Sequence, residues 1–139
     1  MNSLRQIFYF LLLFIAISLT ILQPLSAESV PATAVKHDYT ILDGAWQRTD
    51  GGYLITISDI QTDGRATVKY FNPNPIHIAQ AAISTQKTLI KLFIQFQDKG
   101  YEGSTYNLYY YAEKDALVGF YYQAVMDKTF EVIFSRKTS

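Results

Sequence analysis

The chain has 139 residues, 12 basic against 12 acidic, 15% aromatic residues, two His and no Cys. No basic run is present, so the positive stripe that a nucleic-acid partner requires is missing. The lack of Cys excludes disulfides, a thiol nucleophile and lipid attachment through an N-terminal Cys, and two distant His without ligand spacing argue against a metal site.

Residues 1–27 read as a secretory signal peptide. Arg5 gives a positive start, and Ile7 to Leu22 are apolar apart from Ser18 and Thr20. Gln23-Pro24 breaks the run, and Leu25-Ser26-Ala27 offers a small residue for cleavage. The apolar run of 16 residues is short for a bilayer span of roughly 20. An uncleaved N-terminal anchor is the alternative. Removing 27 of 139 residues leaves 112, with 11 basic and 12 acidic side chains and a formal charge of about −1. That length fits one domain. Localisation is then periplasmic or extracellular, with no membrane attachment after signal removal.

Residues 28–41 hold Pro31, small residues and no period, as expected of a mobile N-terminal segment. A β-barrel domain is expected over 42–137, because period-2 alternation dominates from there on. Eight segments follow: Gly44–Arg48, Tyr53–Ile60, Arg65–Phe71, Ile76–Ile83, Thr88–Gln97, Ser104–Tyr111, Ala116–Gln123 and Thr129–Arg136. The Asp-Gly pairs at 50–51 and 63–64 suit tight hairpins. Asn72-Pro73-Asn74-Pro75 marks another turn. The fourth segment, rich in Ala, also suits a helical turn. Short connections make consecutive strands neighbours, which predicts an all-β, single eight-stranded antiparallel up-and-down barrel. Such a barrel is side-chain filled or holds one small ligand.

Alternation assigns the faces. Ile90, Leu92, Ile94 and Phe96 point inward, as do Phe130, Val132, Phe134 and Arg136. Lys69, Lys91 and Glu131 then point outward, and a lysine facing lipid near the midplane costs roughly 2–4 kcal/mol, which argues against an outer-membrane barrel. The seventh segment is apolar on both faces. Its outer residues Val118, Phe120 and Tyr122 need cover, which predicts a homo-oligomer through that face.

Trp46 is the only tryptophan and stands two places after Gly44 on the first strand. Arg136 is on the last strand, which closure brings beside the first. The guanidinium can stack on the indole. An ordinary core Trp with a solvated Arg is the alternative. This Gly-x-Trp with a late Arg resembles the signature of the calycin superfamily of avidins, lipocalins and fatty-acid-binding proteins. The resemblance implies that Trp46 and Arg136 close one end of the barrel. In length the chain is closer to avidin-like than to lipocalin-like barrels, and Leu117-Val118-Gly119-Phe120-Tyr121 resembles an avidin strand. It departs from avidin in having no second Trp and no matching set of biotin-binding polar residues. Tyr70-Phe71-Asn72-Pro73-Asn74-Pro75-Ile76 and Gly100-Tyr101-Glu102-Gly103-Ser104-Thr105-Tyr106 resemble segments of an uncharacterised group of small exported bacterial proteins, which implies no activity.

Tyr106, Tyr110, Tyr121 and Gln123 share the inward face with Leu108 and Leu117, and Gly119 adds no volume beside Tyr121. Such a wall of apolar bodies with polar tips suits a ligand pocket, with Asn72 at its rim. The same tyrosines also suit a filled core with hydroxyls at the mouth. Asn72, Asn74 and His77 read first as turn residues. No catalytic constellation is present, and most carboxylates, Asp115 and Asp127 among them, sit in turns as solvated groups. The expectation is a non-enzymatic, cofactor-free exported barrel that binds a small, mostly apolar ligand. The alternative is a non-catalytic protein-interaction module with a filled core and an outer aromatic face. The exported protein should lack residues 1–27; an intact mass that retains them would contradict the signal-peptide reading.

Overall fold

The computed structural model describes residues 37–138; the expected signal peptide and all but the last part of segment 28–41 lie outside the described residues. A short 3-10 turn at Tyr39–Leu42 opens the fold, capped by Asp38, whose carboxylate accepts the Thr40 N–H at 3.0 Å. The turn places Leu42 in the core.

Nine strands follow: β1 Gly44–Arg48, β2 Leu54–Ser58, β3 Thr67–Asn72, β4 Asn74–Ile76, β5 Ile78–Gln86, β6 Leu89–Phe96, β7 Thr105–Tyr111, β8 Ala116–Gln123 and β9 Lys128–Arg136. They form one antiparallel sheet in the order β4-β3-β2-β1-β9-β8-β7-β6-β5. Every connection joins neighbours, and β1 pairs with β9, so the meander curls into a nearly closed barrel.

The strand count is nine where the sequence predicts eight, and the difference lies in the fourth segment. Asn72 pairs with Asn74 around Pro73, so pairing resumes sooner than the expected four-residue turn allows. The strand is then interrupted at His77. Its N–H donates to Asp98 Oδ2 at 2.9 Å, and its carbonyl accepts from the Gln97 N–H at 3.2 Å. β4 therefore pairs back onto β3 while β5 pairs forward onto β6, with a bulge between Ile78 and Gln80. The fourth segment is strand on both sides of His77, with no helical turn. A backbone bond from Ile83 N–H to the Gly64 carbonyl, at 2.9 Å, links β5 to the β2–β3 turn across the remaining seam.

The core is the inner face of the sheet. Trp46, Ile55, Ile57, Tyr70, Leu92, Ile94, Phe96, Tyr106, Leu108, Leu117, Val132 and Phe134 are buried there. The faces expected for the fifth and eighth segments are the faces seen, with Phe130 and Arg136 only partly covered at the strand ends. Burying each large apolar side chain contributes roughly 1.5–3 kcal/mol, which is how a nine-strand barrel without disulfides holds together.

Gly119 has a different role from the one its sequence context suggests. A Cβ at this position would collide with the carbonyl oxygen of Asn107 and come within 3.0 Å of Leu108 Cα. The β7 backbone takes the place a side chain at 119 would need, so Gly119 permits close strand approach. Because backbone atoms cannot swing aside, Gly119→Ala should cost roughly 3 kcal/mol. A chemical-denaturation free energy unchanged by that substitution would contradict this packing.

Candidate functional site

Two clusters and one outer wall gather the residues of interest. The first cluster closes the end where the chain enters the barrel. Trp46 and Arg136 are direct partners across β1 and β9, and Arg136 Cζ lies 4.2 Å from the indole ring centre. The Trp46 indole N–H donates to the Leu42 carbonyl at 2.9 Å, which ties the strand to the 3-10 turn. Arg136 donates to the carbonyls of Asp43 and Ile41 at 2.6 and 2.7 Å. It also grips both carboxylate oxygens of Asp115, at 2.6 and 3.0 Å. Gly44, at φ 120°, is required here: a Cβ would stand 3.3 Å from the Arg136 guanidinium in a backbone conformation that L side chains rarely adopt. The spacing of Gly44 and Trp46 thus has a local cause.

Asp115 was expected to be a solvated turn residue; it is instead the ion partner of Arg136. Its signal was in the sequence. Tyr110-x-Ala112-x-x-Asp115 is repeated as Tyr122-x-Ala124-x-x-Asp127. In both copies a three-residue 3-10 turn ends on Asp in the left-handed region, at φ 44° and 49°. The tyrosine hydroxyl, five residues earlier, donates to that Asp at 3.0 and 2.9 Å. The Asp cannot point away, because its turn and its Tyr both hold it.

The second cluster occupies the interior toward the opposite end. Tyr106 is fully buried, with ring centres of Tyr121, Phe134, Tyr70 and Phe96 at 4.7, 5.4, 5.7 and 5.7 Å. Its hydroxyl lies 3.3 Å from that of Tyr70 and accepts from Arg48 Nη1 at 3.3 Å. Burial pushes the Tyr106 phenol up to about 12 and raises Tyr70 further. Arg48 stacks over Tyr53 at 4.5 Å and pairs with Asp50 at 2.6 Å. Tyr106 and Tyr121, two of the residues expected to line a pocket, lie side by side in this cluster.

The other residues predicted to hold a ligand are also engaged within the chain. Tyr110 donates to Asp115, and its ring meets Trp46 edge-on at 6.1 Å. Gln123 accepts from the Met126 N–H at 2.6 Å. Asn72 donates to the Tyr101 hydroxyl at 2.6 Å. Tyr121, half-buried, stacks near Phe130 at 6.4 Å. Tyr106 and Tyr121 meet; Asn72 and Tyr110 belong to different clusters. Among the described residues no group of three or more His, Cys, Asp or Glu is placed to hold a metal.

The outer wall is the third feature. Val118, Phe120 and Tyr122 on β8 are 38%, 48% and 36% exposed, and Ile133 on β9 is 46% exposed. Val118, Phe120 and Ile133, with Leu89, Tyr109 and Tyr111, line a groove of about 920 Å³ on the outside of β7, β8 and β9. Glu131 and Lys114 also border it. No family model matches this chain, and neither a curated protein nor a solved structure does.

Asp115 allows a pH test of the closed end. The hydrogen bond from Arg136 holds its carboxyl below the ordinary carboxylate range. A pKa lower in the folded than in the unfolded state contributes stability above the unfolded value of 3.8 and loses it as pH falls through and below that value. The stability difference between the native chain and Asp115→Asn should therefore be fullest near pH 7 and shrink toward about pH 3. Denaturation midpoints of both proteins across this range check it; a gap that does not narrow would mean the ion pair carries nothing.

Proposed function

We propose that this chain is an exported, non-catalytic interaction barrel that recognises protein through its outer wall. The observation that carries this reading is the contrast between inside and outside. Tyr106 and its four aromatic neighbours pack together in the interior, and the hydroxyls of Tyr106 and Tyr70 already have partners. Outside, Val118, Phe120 and Ile133 stay in water beside a groove of about 920 Å³. Exposed contiguous apolar surface on a small domain is costly to keep, and its usual use is recognition. Export rests on residues 1–27, and a calycin-like barrel rests on Gly44, Trp46 and Arg136 meeting the 3-10 turn.

This reading prefers the filled-core alternative over an interior site for a small apolar ligand. A photoreactive residue at position 118 or 120 should give protein cross-links in the exporting cell, and one at 121 should not. A stoichiometric small molecule retained in native mass spectrometry, with no cross-link from 118 or 120, would overturn the proposal and restore the interior-ligand reading.

A further inference from the structure

The occupant of the outer wall follows from its pattern of donors and acceptors. On β7, β8 and β9, Asn107 pairs with Phe120, and Phe120 with Glu131. In the next row Tyr109 pairs with Val118, and Val118 with Ile133. Each row thus has β8 at its centre and the two other strands one strand spacing to either side, roughly 4.8 Å. Asn107 and Glu131 point outward by alternation, and neither side chain makes a hydrogen bond within the described residues. They are the polar groups flanking Phe120.

We infer that a second copy of this chain covers the wall, about a two-fold axis that runs along β8. This rests on the outer-wall reading and names its partner. Rotation about such an axis lays β7 of one copy over β9 of the other and keeps the rows aligned. Phe120 then meets Phe120, and Val118 meets Val118. Tyr109 lies over Ile133 of the second copy. The Asn107 amide, a donor, lies over the Glu131 carboxylate of the second copy, an acceptor, and the symmetry makes this contact twice. A donor on one side of Phe120 and an acceptor on the other make the row complementary to itself under this rotation. Charge also permits it. Without residues 1–27 the chain has 11 basic and 12 acidic side chains, a formal charge of about −1, so two copies approach with little net repulsion. Glu131 is the one acidic side chain in the two central rows, and the contact with Asn107 removes the cost of covering it without a partner.

Sedimentation velocity of the purified protein tests the assignment. The native chain should be a dimer at micromolar concentration. Phe120→Asp should be monomeric with the circular dichroism of the barrel unchanged, since Phe120 is 48% exposed. Asn107→Asp sets carboxylate against carboxylate twice and should weaken the dimer by at least about tenfold. Adding Glu131→Lys to it should restore the affinity to within about threefold, because the pair becomes opposite in charge. A native chain that stays monomeric at high micromolar concentration overturns the second-copy proposal. If position 120 still cross-links to another protein, the outer-wall reading survives that failure. A dimer indifferent to Phe120→Asp, or a double variant no tighter than Asn107→Asp alone, also overturns it.

Discussion

Arg136 joins the first and last strands of the barrel to the turn that precedes it. Its guanidinium lies on Trp46, takes two carbonyls of the 3-10 turn region and holds both oxygens of Asp115. Each contact alone is modest. Together they bring residues 41, 43, 46, 115 and 136 to one point, so the loops at that end have one arrangement. A planar, permanently charged group with a fork of N–H donors can do this; a lysine has one charged point and no flat face. Gly44 has to lack a side chain for the guanidinium to sit there, and Tyr110 holds the carboxylate from the other side. Pairing of β1 with β9 turns a nine-strand meander into a barrel, and this cluster sits on that junction.

The opposite part of the interior uses rings instead of charges. Tyr106 is surrounded at centre distances of 4.7 to 5.7 Å, within the range where tilted and edge-on ring pairs attract. Its hydroxyl is buried and therefore needs partners, which Tyr70 and Arg48 supply. Removing that hydroxyl from water is what raises its pKa. A tyrosine so placed works as packing with a satisfied tip. The same residue type at Phe120's neighbours Tyr109 and Tyr122 lies on the outer face and works differently: body half-buried in Tyr109 and exposed in Tyr122, hydroxyl tied to Gln86 or Asp127. Those hydroxyl bonds hold the outer rings in fixed orientations and lower the entropy lost when something covers them.

The two Tyr-x-Ala-x-x-Asp turns frame β8 at both ends. β8 is thereby held between two rigid corners, pressed onto β7 at Gly119, and left with Val118, Phe120 and Tyr122 outward. A rigid strand with an apolar outer face suits binding because little order remains to be imposed.

The sequence by itself determined the all-β class, the meander and most strand limits. These follow from period-2 alternation and short turn-rich connections, both local properties. The inward positions on β6 and β9 were legible for the same reason, and so was the pairing of Trp46 with Arg136, since closure makes end strands neighbours. Tertiary structure decided the rest. His77 splits the fourth segment because Asp98, 21 residues later, takes its N–H. Asp115 becomes an ion partner because β9 returns beside the β7–β8 turn. Gly119 admits the β7 backbone, which no pattern within β8 reveals. Alternation tells which way Tyr106, Tyr121 and Gln123 point; only the volumes arriving from the other strands decide whether the space they face is a pocket or a core. Phe96 on β6 and Phe134 on β9, the strands beside β7 and β8, meet Tyr106 at 5.7 and 5.4 Å, a contact that depends on the assembled barrel, whereas alternation is a property of one strand.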